Sequence, residues 1–202
     1  MAAGARYHRP MTTTPPPASL PFTGDPEADA LLAADPLALL IGFALDQQIT
    51  VQKAFAGPLE LRRRIGTLDA AAIATLDPEV LQAAFRERPA LHRFPGAMAT
   101  RVQELCTVVS GDFGGDATRV WAEARDGADL EARLRALPGI GEMKAKTLVG
   151  LLAKRFGVQP PGWEAVAPTY PTLADVDSAE ALARYQEQKR AWKASQKAAA
   201  GA

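Results

Sequence analysis

Apolar residues in this chain recur at three- and four-residue spacing, the period of helices that bury one face. The clearest run is Leu130, Leu134 and Leu137, at i, i+4 and i+7. It is interrupted by Leu137-Pro138-Gly139-Ile140-Gly141 and resumes with Ala145, Leu148, Val149, Leu152 and Phe156. Pro138 cannot continue the first helix, and Gly139 and Gly141 permit a tight reversal. Ala128–Phe156 therefore reads as two helices joined by a short turn.

Punctuation marks the other elements. Asp25-Pro26-Glu27 and Asp35-Pro36 each place a cap residue before a proline, the signature of a helix start. The second opens Leu37–Gln48, apolar around most of its circumference and expected at the centre of a lobe. Short helices are predicted at Thr50–Ala56, Pro58–Ile65, Asp69–Leu76 and Pro78–Arg86. A Phe94-Pro95-Gly96 turn precedes a long helix, Met98–Ser110; Gly111–Gly115 breaks the chain before a short helix at Ala117–Ala124. Residues 157–176 contain Pro160, Pro161, Gly162, Pro168 and Pro171 and read as mostly loop. Asp177-Ser178-Ala179-Glu180 reads as a capped start for Ala181–Lys197. Residues 1–22 lack periodicity and read as an unstructured leader, residues 23–182 as one domain, and 183–202 as a basic tail, helical or disordered.

Composition narrows the class. Hydrophobic residues make up 48% of the 202 but aromatics only 6%, which favours an all-α protein. No apolar run reaches bilayer length, so no membrane partner is expected. Without the apolar core of a signal peptide, a cytoplasmic location is expected. One cysteine, Cys106, and two histidines, His8 and His92, leave too few ligands for zinc or an iron–sulfur cluster. Cys106 shares an apolar face with Val102, Leu105 and Val109 and reads as core.

Lysines and arginines balance aspartates and glutamates at 23 each, which excludes a histone-like binder. From Gly141 onward, nine basic residues face six acidic ones, enough to contact a few phosphates. The turn at 137–141 is where such a contact is expected. The first amides of a helix lack partners within it, and small residues leave them open to a phosphate. Lys144 and Lys146 follow closely. The plainer alternative is a helical hairpin whose glycines only make the turn.

Three pieces together resemble the helix-hairpin-helix (HhH-GPD) DNA glycosylase superfamily, endonuclease III-like, in its short, cluster-free bacterial branch. They are Leu-Leu-Ile-Gly-Phe-Ala-Leu-Asp-Gln-Gln (39–48), Met-Ala-Thr-Arg-Val-Gln-Glu-Leu-Cys (98–106) and Leu-Pro-Gly-Ile-Gly (137–141). The resemblance spans roughly Pro36 to Phe156, and more weakly to Arg184. It implies a two-lobed all-α fold that binds double-stranded DNA as a monomer and excises a base. Gly139, Ile140 and Gly141 would hold the backbone through their amides, with Lys144 and Lys146 adding charge; the resemblance allows a monovalent cation at the hairpin and implies no other cofactor. Gln47 or Gln48 would probe the space a base has left, since an amide both donates and accepts.

Family members that also cut the strand carry a lysine two residues after the last hairpin glycine. Here Met143 stands there, so the resemblance implies hydrolysis without a lyase step. The family's catalytic aspartate matches Asp177, with Asp175 in reserve, although the gap from Gly141 is longer than usual and Asp177 also suits a helix cap. Trp163 and Tyr170 would stack on an extruded base, or pack their loop onto the body. Two rivals remain: a DNA-binding module that lost its chemistry, and a helical protein-interaction domain.

Overall fold

Aspartates start many of the helices. In the computed structural model, which describes residues 16–200, the side chains of Asp25, Asp35, Asp69, Asp77 and Asp126 each accept first-turn amides. This satisfies donors that the helix itself leaves unpaired. The elements are α1 (Pro26–Ala34), α2 (Pro36–Leu45), α3 (Val51–Ile65), α4 (Ala70–Thr75), α5 (Pro78–Arg86), α6 (Pro95–Asp112), α7 (Arg119–Ala122), α8 (Gly127–Arg135), α9 (Glu142–Phe156), α10 (Trp163–Val166) and α11 (Ala179–Ala200), with a 3-10 turn at Leu173–Asp175. Among the described residues there is no strand, and the protein is all-α. No single helix among them is long and apolar enough to cross a membrane.

At the centre lies α2, buried from Leu37 through Leu45. It approaches α3 through two glycines. A Cβ at Gly42 would stand 2.6 Å from the Phe55 ring, and one at Gly57 would stand 2.6 Å from Leu45 Cδ1. Phe55 meets both Phe22 and Phe43 edge-on, at 5.1 Å between centroids. One hydrophobic cluster runs from Leu20 through α2, α6, α8 and α9 to Leu182. Cys106 lies in it, and burial pushes its thiol up to about 12.

Several boundaries depart from the sequence reading. The predicted break at Gly57-Pro58 is absent: α3 runs straight through Pro58. Burial of Phe55, Leu59 and Leu61 on either side of it outweighs a local cost of about 3 kcal/mol. The predicted leader is too long. Leu20 and Phe22 are fully buried, and the Asp29 carboxylate accepts from Phe22 N, Thr23 N and Thr23 Oγ1. Residues 1–15 of that leader lie outside the described residues. α6 begins at Pro95, inside the predicted turn, because proline fits the first helical position.

The long 157–176 segment is fixed to the hairpin. Gly127 N donates to Pro161 O at 2.8 Å, and a Cβ at Gly127 would fall 2.7 Å from Gly162 O and the Trp163 backbone. α11 is capped by Ser178, whose Oγ accepts from Ala181 N, one position later than the Asp177 start predicted. The expected tail from 183 is helical through Ala200; the side chains of Trp192, Lys193 and Lys197 lie outside the described residues.

Because the Phe55 ring is fully buried beside Gly42, Gly42→Ala should cost about 1–3 kcal/mol of unfolding free energy in denaturant titrations. Gly111→Ala, on an exposed stretch of α6 with nothing within 4 Å of its Cβ position, should be neutral or stabilising by up to about 1 kcal/mol.

Candidate nucleic-acid interface

The turn between α8 and α9 is half in and half out of the protein. Leu137 and Ile140 insert into the core, and Ile140 N donates to Leu137 O at 3.0 Å. Ile140 was expected to offer its amide to DNA; the turn itself uses that donor, and the side chain is an anchor. Gly139 has φ +88, and a Cβ there would meet Arg101 Cδ at 2.8 Å and Ala44 Cβ at 3.1 Å. Only glycine fits this place against α6 and α2. Gly141 is exposed, with nothing within 4 Å of its Cβ position. It starts α9 without a side-chain cap, so the first amides of α9, from Gly141 to Lys144, have no acceptor in the helix.

The end of α2 comes to the same point. α2 stops at Leu45, three residues before the predicted Gln48, because Asp46 leaves the helical conformation (φ −70, ψ 72) and Gln47 N turns back onto Leu45 O at 2.7 Å. The carbonyl of Ala44, left over at this end, accepts from Gln47 Nε2 at 3.2 Å and from Lys144 Nζ at 3.3 Å. Lys144 Nζ also donates to Gly139 O at 3.0 Å. One ammonium therefore ties the hairpin turn to the end of α2, one hundred residues away in sequence. The Gln47–Gln48 turn and the hairpin become neighbours.

This placement corrects two basic residues. Lys144 was expected at DNA phosphates; it points beneath the turn instead. Burial lowers its pKa to about 8, with Arg101 and Lys189 pushing the same way and Asp46 opposing. Lys146, also expected at phosphates, pairs with Glu142 at 2.6 Å, which offsets its charge. The two glutamines divide. Gln47 is folded back, its Nε2 also 3.1 Å from Met98 Sδ. Gln48 is exposed at φ +55, the only non-glycine at positive φ among the described residues, a conformation costing about 1–2 kcal/mol.

Three residues that the sequence reading did not single out complete the surface. Arg101 of α6 packs its stem on Gly139. Phe94 is 43% exposed, and the Arg93 guanidinium lies 5.4 Å from its ring centroid. Phe94 is kept beside Gln47 by His92, whose Nε2 lies 2.8 Å from Gln47 O and whose Nδ1 accepts from Phe94 N at 3.0 Å. An aromatic just ahead of a helix-starting proline, with no periodic partner, was the available signal for Phe94. Lys53 of α3 acts on His92, and Lys189 of α11 acts on Lys144. Cations from α3, α6, α9 and α11, with Asp46 opposing them, thus act on the two side chains, His92 and Lys144, that hold the end of α2.

The aspartates lie elsewhere. Asp175 accepts from Lys154 Nζ and from Thr172 N. Burial pushes its carboxyl up, but these hydrogen bonds outweigh it and hold the pKa below the usual value. Asp177 is exposed and has no hydrogen-bond or ion-pair partner among the described residues. It follows Val176, whose carbonyl accepts from Arg155 Nη1. Asp175 and the Val176 carbonyl are therefore tied to the C-terminal end of α9, with Asp177 next in the chain, and Lys154 stands about 15 Å along that helix from Lys144. Trp163 and Tyr170, expected to share a base pocket, are separated. Trp163 packs against the start of α8, whereas Tyr170, 49% exposed, has its hydroxyl 3.7 Å from Met143 Sδ at the start of α9.

Among the described residues no group of three or more His, Cys, Asp or Glu could hold a metal ion. A monovalent cation at the hairpin would rely on turn carbonyls. Leu137 O and Gly139 O already accept from Ile140 N and Lys144 Nζ, so such a cation would compete with both donors. No family model matches the chain, and no curated protein matches it by sequence.

The Lys144 geometry sets a pH dependence. An unfolded lysine keeps its proton to about 10.5 and the folded one releases it near 8, so the unfolded chain binds more protons between those values. Stability relative to Lys144→Met should rise from pH 8 to 10, by on the order of 2 kcal/mol, in thermal melts across that range.

Proposed function

We infer that the chain is a double-stranded DNA-binding protein with the two-lobed helix-hairpin-helix glycosylase fold, whose reaction is hydrolysis of the bond between a damaged or mispaired base and its sugar. The observation that carries this reading is the junction at Ala44. It sets the uncapped amides of α9, the exposed Gln48 and the Arg93–Phe94 tip on adjoining elements, with cations from four helices around them. Amides 141–144 suit a phosphate. Gln48, held out in a strained conformation, suits the gap left by an extruded base. Phe94 suits stacking beside that gap. Unstacking a damaged pair costs less than unstacking a sound one, which biases capture toward lesions.

In this reading Asp177 stabilises positive charge developing on the sugar and orients the attacking water, while the base leaves with the bonding electrons and takes up, overall, the proton the water gives up. Met143, 58% exposed, occupies the place of a strand-cutting lysine, and Lys144 is committed to two carbonyls. Hydrolysis then proceeds without a Schiff base. A second reading, DNA capture without chemistry, is favoured by one observation: Asp175 is paired with Lys154, and Asp177 sits at the far end of α9 from the hairpin.

Gly141 provides the test of binding. Gly141→Asp fits the open space and caps α9, so stability should hold or rise by up to about 1 kcal/mol. Its carboxylate also takes the amides a phosphate needs, and duplex affinity should fall at least about tenfold. An unchanged affinity would remove the hairpin from the interface. Base release from a panel of lesion duplexes tests the chemistry. The glycosylase reading expects release that Asp177→Asn abolishes, and no borohydride-trapped adduct with abasic DNA. Binding without release on every lesion leaves the capture-only reading.

A further inference from the structure

His92 is 1% exposed, yet it lies between two exposed elements. Phe94 N–H donates to its Nδ1 at 3.0 Å, so that nitrogen is unprotonated and the ring hydrogen is on Nε2. Nε2 then donates to Gln47 O at 2.8 Å. A neutral imidazole thus joins Gln47 to Phe94 across 47 positions of sequence, fixing the turn that carries Gln48 against the tip that carries Arg93 and Phe94. Protonation would place a hydrogen on Nδ1 facing the Phe94 N–H, donor against donor, and that side of the tie would open.

We propose that His92 is a positioning residue that holds the Gln47–Gln48 turn and the Arg93–Phe94 tip in one register for duplex binding, and that ring protonation releases the tip. This rests on the DNA-binding reading above and assigns the histidine no contact with DNA. The charged groups acting on the ring are Lys53 from α3 and Lys144 from α9, both cationic. They and burial oppose protonation, while the carbonyls of Gln47 and Leu45 favour it; burial is the largest effect, and the ring titrates below the usual histidine value.

The direction of the pH effect separates this role from simple electrostatics. Protonating a histidine near a polyanion adds positive charge and tightens binding. Release of the tip weakens it. The experiment measures affinity of the full chain for a duplex carrying a tetrahydrofuran abasic analogue, at fixed salt, between pH 7.5 and 5. His92→Asn keeps an acceptor for the Phe94 amide and does not titrate. His92→Gln keeps a donor for the Gln47 carbonyl but offers no ring Nδ1. Thermal melts confirm that each variant is folded.

The wild type should lose roughly five- to tenfold in affinity on acidification, and the Phe94 amide resonance should shift with the ring's titration. His92→Asn should bind with no such loss, and His92→Gln should bind weakly at both ends of the range. Wild-type affinity that holds or rises in acid, or a loss of the same size in His92→Asn, overturns the role of His92 and leaves DNA binding standing. Absence of duplex binding at every pH overturns the DNA-binding reading and this proposal with it.

Discussion

The arrangement depends on how the end of α2 is satisfied. A buried helix must find donors for its last carbonyls, and here the Ala44 carbonyl takes one from Gln47 and one from Lys144. The first folds the glutamine turn back onto the helix. The second draws in the hairpin from the other half of the chain. Lys144 is an expensive choice, since its charge is largely removed from water. The Gly139 carbonyl and the nearby Asp46 offset that cost, and the close seat of Gly139 against Ala44 lets the lysine reach. A larger residue at 139 would hold the two elements apart.

A chain with no net charge can still present a local field. Lys53, Arg101, Lys144 and Lys189 come from four helices and act around one junction, whereas many other basic groups are spent in pairs along their own helices, as with Arg64–Glu60, Arg119–Glu123 and Lys146–Glu142. What distinguishes this surface is a set of cations that, among the described residues, form no carboxylate salt bridge, beside uncapped amides and with the exposed Gln48 and Phe94 at its edge.

Local features of the chain were legible in its sequence. The Asp-Pro starts of α1 and α2, the bounds of α5 and the turn between α8 and α9 all follow from capping and backbone rules acting over a few residues. What was missed depends on partners far away in the chain. Pro58 reads locally as a break, but Leu45 and Phe55 hold α3 continuous. Leu20 and Phe22 read as leader because two apolar residues make no periodic signal; Asp29 fastens both, its backbone carbonyl accepting from Leu20 N and its buried carboxylate from Phe22 N. Lys144 reads as a phosphate ligand until its partners at positions 44 and 139 are known. The tie from His92 to Gln47 carries no local pattern at all. For the same reason the proline-rich segment concealed that Asp175 is tied to the end of α9 remote from the hairpin, with Asp177 two residues on.

The central claim is that residues brought together at Ala44 form one surface for DNA. The most direct measurement is a titration of the 15N-labelled chain with a short duplex, following each backbone amide. Shifts should concentrate at Gly141–Lys144, Gln47–Gln48 and Phe94, and fade together as salt is raised. Shifts confined to other surfaces, or none at low salt, would contradict it.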